Sequence, residues 1–101
     1  MSIQVSMQGN KATIILCEQF DHKVTHEFQE SYNKALEQNG MEEMDVDFTK
    51  VAFLNSFALG LLLILRDKAE KLDVAINLVN SQGAVRRMLE IANFDKIFNM
   101  P

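Results

Sequence analysis

The stretch SFALGLLLILRDKAEKL, from Ser56 to Leu72, constrains this chain more than any other segment. It reads as one helix, and seventeen residues at that rise span about 25 Å. Its first half is apolar on every side, which predicts burial on most sides; its second half is charged and meets water. The rest of the chain must therefore supply layers that enclose it. Asn55 and Ser56 stand at its start, a pair able to cap the first turn. Gly60 sits in the helix interior, where glycine costs about 1 kcal/mol relative to alanine. That cost predicts close contact with a neighbouring backbone.

The flanking segments alternate between two periods. Ile3, Val5 and Met7 alternate with Gln4, Ser6 and Gln8, the period of a half-buried strand. Gly9-Asn10 reads as a tight turn, and Lys11–Cys17 as the returning strand of an antiparallel hairpin. Val24, Phe28, Tyr32, Ala35 and Leu36 then mark one face of a helix that runs to a stop at Asn39-Gly40. Met44, Val46 and Phe48 alternate with Asp45 and Asp47 as a third strand. Val74–Val79 is a fourth. Asn80-Ser81 is placed to cap a last helix with Val85, Met88, Leu89 and Ala92 on its apolar side, and Phe94, Ile97 and Phe98 form an apolar tail. The order is β-β-α-β-α-β-α. Two successive strand–helix–strand units imply parallel strands joined by right-handed crossovers. The expected fold class is α/β: a four-stranded mixed sheet with helices packed on it, in one domain spanning 1–101.

Charge and composition remove several function classes. Ten basic against fourteen acidic residues leave a net charge of −4, the wrong sign for non-specific nucleic-acid binding. No apolar run approaches the ~20 residues of a membrane span, so no membrane insertion is expected. The opening MSIQVSMQGNK has no signal-peptide pattern, and the single cysteine, Cys17, forms no internal disulfide; both predict a cytoplasmic protein. Phosphate-loop and nucleophile-elbow motifs are missing. His22 and His26 stand four apart without a third metal-ligating partner in sequence reach, and read as exposed polar residues. Glu42, Glu43, Asp45 and Asp47 form an acidic cluster; Asp45 and Asp47 share one side of a strand that should lie under a helix, so at least one needs a hydrogen-bond partner. Arg86-Arg87 reads as a solvated helix face. The expectation is a protein that is no enzyme and holds no metal or cofactor.

One place stands out: the junction before the long helix. A hydroxyl at Ser56 sits at the positive end of the helix dipole, beside amides without intrahelical partners. Phe20-Asp21-His22, Asp47-Phe48-Thr49, Phe53-Leu54-Asn55-Ser56-Phe57-Ala58-Leu59-Gly60 and Leu78-Val79-Asn80 resemble, in order and at the right separations, the successive motifs of the STAS domain. This is the fold of bacterial anti-anti-sigma factors, also called anti-sigma factor antagonists. The segments ALGLLLILRDKA, INLVN and ANFDKIF are similar to a subclass of stand-alone, single-domain antagonists that work beside response regulators carrying phosphatase and kinase modules.

The resemblance implies partner switching. The family's switch serine follows the acidic position of a D-S-S-[AG]-L-G signature and falls on Ser56. A kinase related to histidine-kinase ATPases, often the anti-sigma factor itself, would phosphorylate it, and a PP2C-type phosphatase, in some systems on a response regulator, would reset it. The unmodified protein, a monomer when free, would bind its partner through Asp21, Asn55, Ser56, Phe57, Asn80 and Ser81. Two departures stand out: Asn55 replaces the acidic residue, and Phe57, facing either core or partner, replaces the second serine. The alternative implied by the same family is a STAS subunit of a membrane lipid-transport ATPase.

Overall fold

Gly9, at φ +63, closes a two-residue turn between β1 (Gln4–Gln8) and β2 (Lys11–Ile15) in a computed structural model that describes residues 3–101. Met1 and Ser2, the start of the stretch read for a signal peptide, lie outside the described residues. The hairpin is antiparallel, with Gln4 opposite Ile15 and Gln8 opposite Lys11. A short 3-10 turn at His22–Val24 leads into α1 (Thr25–Leu36). β4 (Glu43–Asp47) then pairs parallel with β2, and β6 (Ala75–Val79) pairs parallel with β4. The strand order is β1-β2-β4-β6, the mixed four-stranded sheet that the alternating segments predict.

Side-chain alternation sets the two faces of the sheet. Ala12 and Ile14 on β2, Met44 and Val46 on β4, and Ile76 and Leu78 on β6 are buried. They share one core with Phe28, Tyr32 and Ala35 of α1 and with Ala58, Leu61, Leu62, Leu65 and Ala69 of α2 (Ser56–Lys71). The opposite face is polar, and here one expectation is corrected. Asp45 and Asp47 point away from the helix-covered side, because Met44 and Val46 occupy it. Asp45 instead pairs with Lys11 at 3.0 Å and accepts a 2.8 Å hydrogen bond from Asn77.

α3 (Gly83–Ile91) buries Val85 and Leu89, with Met88 and Ala92 packed beside them. The tail folds down: Phe94 and Phe98 are buried with ring centroids 5.2 Å apart. The Leu78 amide donates to the Asn99 carbonyl at 2.8 Å, so the chain end runs along β6. Arg86 is no simple solvated residue. Its guanidinium reaches Ser81 Oγ, Glu90 and the Met100 carbonyl, while Arg87 stays exposed.

Two further expectations fail on α2 itself. Phe57, Leu63 and Ile64 are 51%, 43% and 52% exposed, so the apolar first half is buried on one side only. A Cβ built on Gly60 meets nothing within 4 Å, so no backbone approaches it closely. The helix cannot be covered all round because the sheet and α1 occupy one side of it.

Candidate functional site

The parallel strands all end at one edge of the sheet, where the loops between strands and helices gather. Two very short strands organise this edge. β3 (Gln19–Phe20) pairs parallel with β5 (Phe53–Leu54), Gln19 opposite Phe53 and Phe20 opposite Leu54. The Glu18 carbonyl extends the zip by accepting from the Ala52 and Phe53 amides at 2.8 and 3.1 Å. The buried side chains of Phe20 and Leu54 anchor both tracks to the core. The next residue on each track is Asp21 and Asn55. The pairing thus brings together two positions that lie far apart in the chain.

Each of these residues starts a helix. Asp21 Oδ1 accepts from the Lys23 amide at 2.9 Å and caps the 3-10 turn; the residue is 8% exposed. Asn55 has extended backbone and caps α2, its Oδ1 accepting from the Ala58 amide at 3.0 Å. Ser56 follows as the first helical residue. It is exposed, and its hydroxyl makes no hydrogen bond to a described residue. The Asn-Ser pair therefore divides its work: the amide satisfies the helix, and the hydroxyl is left for water.

Phe57 resolves the choice left open for it. The ring points outward, edge-on to the His22 ring at a centroid distance of 6.3 Å. His26 turns elsewhere, to Glu30 at 3.2 Å, so the two histidines serve different neighbours. No group of three His, Cys, Asp or Glu side chains capable of holding a metal occurs among the described residues. Cys17 is buried, with its Sγ donating to the Gln19 carbonyl at 3.2 Å.

Asn80 and Ser81 do not cap α3. Gln82 occupies that position, without a side-chain bond. Asn80 adopts φ +63, a left-handed conformation that asparagine tolerates, and its Nδ2 donates to Asp47 Oδ1 at 3.2 Å. Ser81 is buried against Arg86. Of the six residues implied by the family motifs, Ser56, Phe57 and Asn80 are exposed and Asn55 is half-buried. Asp21 and Ser81 are covered, so they shape the surface from below.

Asp47 and Thr49 complete the edge and were absent from that set. Asp47 Oδ1 accepts from the Thr49 amide at 2.8 Å, from the Thr49 hydroxyl at 2.6 Å and from Asn80. Partial burial pushes the Asp47 carboxyl up, but these bonds and the Lys50 charge outweigh it and hold the group below its usual range. The Asp-x-Thr spacing is the available sequence signal, since aspartate bonds the backbone two residues on. The network ties the β4 turn to the loop after β6.

Comparison with known proteins places this geometry. A family model described as the STAS domain matches residues 3–101. A STAS-domain containing protein of Pseudomonas aeruginosa strain UCBPP-PA14 is 33% identical over 95 residues, covering 94% of this chain and 92% of that protein. Among solved structures, an anti-sigma factor antagonist from Mycobacterium paratuberculosis superimposes with a TM-score of 0.84 at 18% identity, over 98% of this chain and 83% of its own. The anti-sigma factor antagonist SpoIIAA, unphosphorylated, gives 0.83 at 19% identity, over 99% and 88%. The phosphorylated form of Bacillus SpoIIAA gives 0.76 at 18%, over 99% and 91%. At these identities the structural likeness is one of fold.

Proposed function

The chain belongs to the STAS domain family, and from that premise we propose that it is an anti-sigma factor antagonist switched between partners at Ser56. One observation carries this reading: Asn55 does the capping of α2, which leaves the Ser56 hydroxyl exposed and unbonded on the first turn. A hydroxyl engaged in the cap would have to break that bond to react. This one presents its oxygen without disturbing the helix.

The chemistry is phosphoryl transfer from a nucleoside triphosphate held by a partner kinase of the histidine-kinase-ATPase type. Ser56 Oγ attacks the γ-phosphorus and loses its proton, the new P–O bond forms, and the nucleoside diphosphate leaves. A PP2C-type phosphatase reverses the state by hydrolysis. SpoIIAA, of like fold, exists in both phosphorylated and unphosphorylated forms. The phosphate adds roughly −1.5 to −2 charge and three acceptor oxygens. At a helix N-terminus that charge is locally favourable, so the domain stays folded. The partner meets a different surface. A desolvated phosphate next to Phe57 replaces a neutral hydroxyl in a protein already at −4. The function is that of a binding module, with the anti-sigma factor or kinase as ligand and no catalysis by this chain.

The test is titration calorimetry against the cognate anti-sigma factor or kinase. Ser56→Asp is expected to weaken binding by about 100-fold or more, while Ser56→Ala binds as wild type and resists phosphorylation. An aspartate variant that binds with unchanged affinity overturns the proposal, as does a wild-type protein phosphorylated by that kinase at another residue.

A further inference from the structure

β1 is an outer strand of the sheet; at the head of its free side the Ile3 amide donates to Glu27 Oε2 of α1 at 3.0 Å, and beyond that contact the strand itself carries few of the devices that keep strand edges apart. Its sequence QVSMQ holds no charge and no proline, and its register with β2 runs without a bulge. The opposite side of β2 shows which atoms face outward. The Asn10 carbonyl accepts from the Glu42 and Glu43 amides, and the Leu16 amide donates to the Asp47 carbonyl. Even-numbered positions of β2 therefore turn their main chain toward β4. Lys11, Thr13 and Ile15 turn toward Gln8, Ser6 and Gln4, so Val5 and Met7 direct their N–H and C=O groups to the open edge. The side chains of Val5 and Met7 line an open groove of about 380 Å³ together with Glu27, Glu30, Ser31 and Lys34 of α1.

We propose that this edge pairs antiparallel with the same edge of a second copy of the chain, joining two four-stranded sheets into one of eight. The pairing is self-complementary about a two-fold axis at Ser6, as an isologous contact requires. Val5 of each copy lies opposite Met7 of the other, and each pair exchanges both main-chain hydrogen bonds. Charge decides the orientation. α1 packs over both β1 and β2, so strands about 4.8 Å apart place the two α1 helices about 10 Å apart, an ordinary packing distance. Glu27 and Lys34 lie two turns apart on the groove side. Antiparallel helices set each Lys34, which has no partner among the described residues, beside the acidic Glu27 end of the other copy. A parallel arrangement would set like charges together. The monomer expected from the family pattern is then the dilute limit.

This contact is independent of Ser56, and sedimentation of the full chain across a wide concentration range tests it. The expected mass rises from 11.5 kDa to twice that value. Met7→Pro removes an outward amide hydrogen, leaves the ladder with β2 in place and abolishes the dimer. Lys34→Glu, on an exposed helix position, raises the dissociation constant about tenfold and remains informative if the proline variant misfolds. Ser56→Asp leaves the dimer unchanged. A protein that stays monomeric throughout, or a dimer indifferent to Lys34→Glu and to Met7→Pro, overturns the inference.

Discussion

Asn55 and Ser56 are near-equivalent helix caps by side-chain chemistry, yet they do different work. Only the residue with extended backbone can aim its side chain back at the first-turn amides, and that residue is Asn55, at φ −118 and ψ 178. Ser56 already has a place in the helix. The division is testable by thermal or denaturant unfolding of two alanine variants. Asn55→Ala is expected to cost about 1 kcal/mol through the orphaned Ala58 amide. Ser56→Ala is expected to fall within about 0.5 kcal/mol of wild type, because an exposed, unbonded hydroxyl contributes little. The reverse order would return the cap to Ser56 and remove the basis for an available hydroxyl. Asp47 shows a similar separation of roles within the acidic cluster. It is held as an anion by Thr49 and Asn80, while Asp45 answers Lys11 and Asn77 on the outer face. One structural aspartate was expected from the sequence; which one, and what it fastens, depends on Asn80 arriving from a distant loop.

The long helix teaches the limits of reading an element from its own residues. Runs of leucine state that a helix is apolar but not which side is covered, and on α2 the exposed side carries Phe57, Gly60, Leu63 and Ile64. Gly60 faces no backbone, so its conformational cost is uncompensated within the chain. Gly60→Ala is therefore expected to stabilise the fold by up to about 1 kcal/mol, raising the melting temperature by roughly 4–8 °C in calorimetry. A loss of stability would mean a contact that the open space around Gly60 does not contain. Strands of five residues with alternating burial, such as Lys11–Ile15 and Glu43–Asp47, were legible because burial on one face writes period two into the sequence. β3 and β5 were not, since two residues carry no period. What they accomplish is long-range: their pairing aligns Asp21 with Asn55. The six candidate residues thus rest on motif order, whereas the burial of Asp21 and Ser81 and the outward turn of Phe57 emerged only from packing. The end of α1 at Leu36, short of the Asn39-Gly40 stop, has a local cause. The Gln38 amide already bonds the Ala35 carbonyl in a tighter turn.

At the scale of the molecule, the proposed partner switching by charge demands a fold that does not yield when a phosphate arrives. The layout supplies this by fastening the first and last described segments into one body. The first strand is paired with the sheet, and the last residues run along β6 at its other side, with Asn99 bridging to Asn77 at 2.9 Å. Phe94 and Phe98 belong to the same core as Leu62 and Leu78, so the tail is no appendage. Loosening it should therefore lower the stability of the whole domain in one transition. Phe98→Ala removes a side chain that is 6% exposed, and truncations of that kind cost about 3–5 kcal/mol. For a chain of this size that corresponds to a fall of at least ~12 °C in melting temperature. Circular dichroism at a helical wavelength and tyrosine fluorescence from Tyr32 of α1 should shift together, since Tyr32 lies in the core that Phe98 completes. If the tail instead melted alone, Tyr32 would report an unchanged transition. The domain would then be a rigid centre with a loose end, and a phosphate at Ser56 would act on a body less unified than the packing of Phe98 requires.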